Sequence, residues 1–255
     1  MAQEDNKQFG SRFRPLTGPV RLVHEGLLLS LALLGAGWSL ELNHYFGMSI
    51  FKEQFLGIIF TIGMVAVFIA VPRRSSDSGA RIPLYDIILA LASAAVGLFM
   101  VFHYDVIRDD SGLASPERVT LGTIAVLLVL EATRRAVGWA MVIITGFFIL
   151  HALYANYFFG FFYGPPVRFG KFIDTLFMSS DGIFGIPLHV CSTYIVLFII
   201  FGALLIRSGA GRFFIDLAVA LTGHRVGGPA KASAVASGFM GTVSGSAVAN
   251  VVTTG

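Results

Sequence analysis

Charge is scarce in this chain. Only 13% of its 255 residues are Asp, Glu, Lys or Arg, and 55% are hydrophobic. A soluble domain carries about twice that share of charge. The eighteen Lys and Arg are scattered among loops and the formal net charge is only +3, which excludes the basic face of a nucleic-acid binder. Cysteine is almost missing as well. The single Cys191 permits no intramolecular disulfide. No His, Cys and Glu stand at a zinc-binding spacing. A Walker glycine loop is absent, so the chain itself is not expected to hydrolyse ATP. There is no pair of intramembrane aspartates, and Ser244-Gly245-Ser246 has no His or acid beside it. An enzyme is therefore not expected. Internal repeats, low-complexity tracts and long linkers are also lacking. The polar segment from Met1 to Leu16 is not a cleavable signal, because the apolar run behind it is too long and has no small-residue cleavage site.

What the chain has instead is apolar length. Its mean hydropathy is +0.78, and runs of roughly 20 apolar residues read as spanning helices. The reading is an all-α multi-pass membrane protein with about six spans. These run from about Val20 to Leu40, Phe55 to Val71, Pro83 to Phe102, Val119 to Ala132, Val137 to Phe159 and Pro187 to Ile206. The stretch from Val167 to Ile186 is broken by Lys171, Asp174, Asp181 and three glycines, so it reads as an interfacial or partly re-entrant helix. An amphipathic piece follows at Phe213 to Leu221.

Lys and Arg set the orientation. With the N-terminus in the cytoplasm and alternating spans, thirteen of the eighteen basic residues fall inside. They are Lys7, Arg12, Arg14, Arg21, Arg73, Arg74, Arg81, Arg134, Arg135, Arg207, Arg212, Arg225 and Lys231. Outside lie Lys52, Arg108, Arg118, Arg168 and Lys171. The loop from Tyr104 to Glu117, rich in acids, is then periplasmic.

Charged groups near spans are costly and call for an explanation. His24, Glu25, Asp86 and Glu131 each lie within about two turns of a span end. Snorkelling or a local pair at i+3 or i+4 accounts for them. Glu25 can meet Arg21, and Glu131 can meet Arg134 or Arg135. His151 lies well inside the fifth span, where it reads as a neutral histidine bonded across helices in preference to a proton relay. Asp181 and Asp216 read as solvated. Trp38, Tyr45, Trp139, Tyr154, Tyr157 and Tyr163 mark span ends as an aromatic belt.

The last segment, Ser237 to Gly255, is apolar yet studded with Gly, Ser, Thr and Asn. Two readings fit its residues. It is a small-residue face that packs on another helix, or an interrupted helix whose carbonyls and hydroxyls hold a cation or substrate.

The wording Gly241-Thr-Val-Ser-Gly-Ser-Ala-Val-Ala-Asn-Val-Val-Thr-Thr-Gly255 resembles the first hairpin of the large membrane subunit of tripartite ATP-independent periplasmic (TRAP) transporters. Ser246-Ala-Val-Ala-Asn250 looks most like the TAXI subgroup. Leu130-Glu-Ala-Thr-Arg-Arg135 and Gly227-Gly-Pro-Ala-Lys-Ala232 add to the resemblance. The layout resembles fused permeases: residues 1–135 would be a small-subunit-like four-helix unit, and 136–255 the N-terminal part of the large transport subunit. The resemblance implies an elevator-type secondary transporter in the bacterial inner membrane. It would import organic acids from a TAXI-type periplasmic binding protein. Sodium would be the coupling ion, with the proton as the alternative, and no cofactor is expected. It nominates Ser244, Gly245, Ser246 and Asn250 as cation ligands, and Thr253, Thr254 and Gly255 as the tip facing substrate. A complete large subunit carries a second, inverted hairpin, so the remainder of that subunit is an expected partner, along with the lipid bilayer. The alternatives are a non-transporting scaffold or assembly subunit, or an inactive truncated fragment.

Overall fold

In the computed structural model, residues 13–73, 82–109, 115–224 and 227–243 are described. Among them every regular element is helical. Two compact units divide at Thr193 and Tyr194.

In the first unit, α1 (Gly18–Ser39) starts with Pro19 in its first turn, where a missing N–H leaves no gap. The one-turn α2 (Leu42–Tyr45) follows Glu41, whose φ of 54° turns the chain. Then come α3 (Lys52–Ala70), α4 (Leu84–Asp109) and α5 (Pro116–Ala136). Gln54 ties the start of α3: its Oε1 accepts the Phe51 N–H at 3.1 Å, and its Nε2 donates to the Val101 carbonyl of α4 at 3.1 Å. Ser115 caps α5 ahead of Pro116.

Contacts at the two ends show that α1, α3, α4 and α5 alternate in direction. At one end the Arg14 N–H donates to the Ala70 carbonyl at 2.9 Å, and Arg135 pairs with Asp86. At the other end Trp38 stacks on Phe55, with ring centroids 4.2 Å apart. Between them Phe55, Leu56, Ile59, Phe60 and Phe68 of α3 form a core with Val96 and Met100 of α4 and Ala125 and Leu128 of α5. Close approach of α3 and α4 depends on two glycines. A Cβ on Gly97 would lie 2.0 Å from Thr61 Oγ1 and 2.6 Å from the Gly57 carbonyl oxygen.

The remainder of the first unit holds α6 (Trp139–Tyr154), two 3₁₀ turns at Ala155–Tyr157 and Gly160–Phe162, and α7 (Phe169–Met178). The ambiguous stretch after Val167 is thus a packed amphipathic helix. Its Ile173 and Phe177 are buried, and they rest on Gly122 of α5, where a Cβ would meet Ile173 Cγ2 at 2.7 Å. A tight turn follows, closed by Ile183 N–H to Leu176 O at 2.7 Å and Ile186 N–H to Ser180 O at 2.6 Å. It drives Phe184 into the core beside Phe177. The short α8 (Ile186–Val190) then runs into one π-helical turn, Cys191–Ile195.

In the second unit, α9 (Val196–Arg207) precedes α10 (Ala210–Thr222) and α11 (Gly228–Val243). The last two form a helical hairpin that turns at Gly227, φ 75°. Phe214 stacks on Phe239 at 5.9 Å. Ala232, Ala236 and Met240, four residues apart, are the buried line of α11.

Among the described residues, five helices are long and apolar enough to cross a membrane: Gly18–Ser39, Lys52–Ala70, Leu84–Tyr104, Trp139–Tyr157 and Ile186–Leu205. The sixth expected span, Val119 to Ala132, is helical within α5 but does not qualify. Charged residues crowd both its ends, Glu117 and Arg118 at one and Glu131, Arg134 and Arg135 at the other. The structure resolves the apparent conflict by pairing Arg118, Glu131, Arg134 and Arg135 within the protein. The most polar of the expected spans is the one that touches α3, α4, α6 and α7. By contrast α1 and α6 have almost no fully buried residue, and most of their exposed large side chains are apolar.

Candidate functional site

The nominated cation ligands Ser244, Gly245, Ser246 and Asn250 lie outside the described residues, as do Thr253, Thr254 and Gly255. The structure describes the helix that leads to them. Over Gly228–Val243, small residues let α11 lie close against α10, so the polar segment follows directly from a packed helix. Among the described residues no group of three or more His, Cys, Asp or Glu side chains could hold a metal ion.

The most polar assembly that is described sits where α3 ends, α4 begins and α5 ends. Asp86 is its centre and is 1% exposed. One carboxylate oxygen accepts from Arg14 Nη2, and the other accepts from Arg135 Nη1 at 2.7 Å. Arg135 Nη1 also donates to the Val71 carbonyl at 3.2 Å. Glu131 then accepts from Arg134 through Nε and Nη2, at 2.7 and 2.8 Å, and from Arg135 Nε at 2.8 Å. The Arg135 guanidinium further lies 5.0 Å from the Phe68 ring centroid and 5.6 Å from that of Tyr85, within reach of cation–π attraction. Two carboxylates thus hold three guanidiniums, and burial makes each pair strongly dependent on its partner.

This corrects the expectation for Asp86. It does not snorkel or pair along its own helix; it binds Arg14 and Arg135, 72 and 49 residues away. For Glu131 the local pair forms, with both arginines instead of one. Glu25 meets Arg21 at 2.7 Å on the open face of α1. A second sheltered pair, Arg118 with Asp174 at 2.8 Å, joins α5 to α7. His151 also differs from expectation. Its Nε2 lies 2.9 Å from the Phe162 carbonyl oxygen, in the 3₁₀ turn behind its own helix, not on a facing helix. A carbonyl can only accept, so that nitrogen carries the proton.

A family model described as Tripartite ATP-independent periplasmic transporter, DctM component, matches residues 124–255. The chain belongs to that family. The match starts within α5 and takes in α6 to α11 together with the Gly- and Ser-rich end. No curated protein and no solved structure matches the chain. As a DctM-type chain with five helices suited to crossing a membrane among its described residues, it is an integral membrane component of a transporter.

The long-range charge network of this DctM component is what residue-by-residue reading missed. A signal was present. The inside-positive assignment put Arg14, Arg134 and Arg135 on the same side as the ends bearing Asp86 and Glu131. Opposite charges at one level of a bundle find each other because the alternative is an unpaired charge in an apolar environment.

Proposed function

We propose that the chain is the membrane permease of a cation-coupled secondary transporter in the bacterial inner membrane, importing organic acids handed over by a periplasmic binding protein. The observation that carries this is the DctM match over residues 124–255. In this reading Ser244, Gly245, Ser246 and Asn250 supply neutral oxygens to the coupling ion, sodium before the proton. Thr253, Thr254 and Gly255 face the carboxylate substrate, and the binding protein is of the TAXI type. The chemistry is consistent: hard cations take oxygen ligands, and interrupted helices offer them as free carbonyls. Residues 1–135 act as a small-subunit-like unit fused ahead of the transport portion. The N-terminus is cytoplasmic.

The test is uptake of labelled organic acids into proteoliposomes at graded sodium, with the permease expressed from its complete reading frame and supplied with its binding protein. Ser246→Ala and Asn250→Ala should each raise the sodium needed for half-maximal uptake, and substrate affinity should fall with it, because the two sites are coupled. Unchanged sodium dependence in both would move the cation site elsewhere. For topology, cysteines at Ser76 and Ser111, with Cys191 replaced, should react oppositely with an impermeant thiol reagent on spheroplasts. Labelling at Ser76 from outside would reverse the orientation.

A further inference from the structure

Beside the charge network is a cavity of about 710 Å³, lined by Arg73, Tyr85, Glu131, Arg134, Arg135 and Trp139 among others. We propose that it binds the phosphate of an anionic lipid headgroup.

Donors outnumber acceptors around this cavity. Three guanidiniums and one carboxylate line the cavity, and that carboxylate is already occupied by Arg134 and by Arg135 Nε. The Arg135 side chain is fully buried, with Nη1 spent on Asp86 and Val71. Its Nη2 is buried with no hydrogen-bond partner among the described residues, and so is the hydroxyl of Tyr85. The Arg73 guanidinium lies 6.0 Å from the Tyr85 ring centroid, on the same wall. Buried donors left unmet are costly. The missing partner must therefore be an acceptor, must carry negative charge to balance the surplus cation, and must offer several oxygens in different directions. A phosphate does all three.

The surroundings indicate the source of that phosphate. Trp139, 63% exposed, carries the Arg134 guanidinium at 5.4 Å from its ring centroid. Tyr85 and Trp139 are side chains suited to the level of lipid headgroups. On the same two helices, Leu84 and Ile88 of α4 and Met141 and Ile144 of α6 are more than half exposed and apolar. A molecule with a phosphate head and hydrocarbon tails satisfies the cavity and this surface together. Basic pockets between helices at the inner membrane face hold anionic headgroups in this manner. A zwitterionic choline lipid would instead bring its ammonium among the arginines.

The experiment follows thermal unfolding of the purified full chain in neutral detergent while adding dioleoylphosphatidylglycerol, dioleoylphosphatidylcholine or inorganic phosphate. Phosphatidylglycerol should raise the midpoint at about tenfold lower concentration than phosphatidylcholine, and phosphate alone should do little. Tyr85→Phe removes only an unbonded hydroxyl. It should raise the phosphatidylglycerol required by about tenfold, and Arg73→Gln should do so as well. A response to inorganic phosphate equal to that of the lipid, lost in the same variants, would assign the site to a free phosphate and overturn the lipid reading. Equal responses to the two lipids, or an unchanged response in both variants, would overturn the site itself. Lipid phosphorus co-purifying with the wild-type chain gives a readout independent of the variants. Phosphatidylglycerol should be enriched over the bulk membrane, and a bulk-like ratio would count against the proposal.

Discussion

Arg21 with Glu25 and Arg14 with Asp86 are the same chemical pair in two settings. The first lies along α1, with side chains 66% and 54% exposed; the second joins the segment before α1 to α4, with both side chains fully buried. An exposed pair loses little when broken, because solvent or headgroups replace the partner. A buried pair repays its own desolvation only while it is intact. Removing one member leaves an uncompensated charge inside. The difference separates charges that decorate a helix from charges that hold helices together.

The largest effect should come from Asp86→Ala, which strands both Arg14 and Arg135. A loss of about 3–5 kcal/mol is expected, read as a fall of about 10 °C or more in the melting midpoint of detergent-solubilised protein. A midpoint within a degree of wild type would mean that burial does not set the cost of breaking the pair. Next comes Asp174→Asn, which takes the carboxylate from Arg118 at the α5–α7 contact. About 1.5–3 kcal/mol is expected, and protease cleavage after Lys171 should become faster if α7 loosens.

Gly97→Ala tests packing where charge plays no part. Overpacking against Thr61 and the Gly57 carbonyl should cost about 1–3 kcal/mol. Adding Thr61→Ala should recover part of that loss, since it removes the nearer of the two clashing atoms. A double variant no better than the single one would mean that the backbone contact dominates. The smallest effect belongs to Glu25→Gln, which should leave the midpoint unmoved at moderate salt. If it matched Asp86→Ala, burial would not be the deciding variable.

Much of the fold was legible along the chain. Hydrophobic runs located α3, α4 and α5, and Pro72 and Pro83 marked the end of α3 and the start of α4, because proline cannot continue a helix into its interior. The end of α4 was set too early, at Phe102 instead of Asp109. The apolar run from Val137 anticipated α6, and the amphipathic stretch Phe213 to Leu221 lies within α10, but the pairing of α10 with α11 was not anticipated. The stretch of Phe169–Met178 was less legible, since Lys171 and Asp174 mask its apolar stripe. Only the buried contact of Ile173 and Phe177 with Gly122 shows which face turns inward. For the candidate cation and substrate residues, Ser244 to Gly255, all information still comes from their order in the chain.

By itself, the sequence determined that this is a helical membrane protein, roughly where its long apolar helices lie, and which family motif it carries. These are matters of composition and of spacing within a few turns, and short-range sterics and hydropathy control them. Tertiary structure decided that α5 is the polar hub of the first unit. It also decided that Asp86 answers to Arg14 and Arg135, and that Tyr85 and Arg135, each with a buried donor left unmet, line one cavity. Such partners are separated by tens of residues. Which of them meet depends on the direction and close approach of helices, a property that no local window contains.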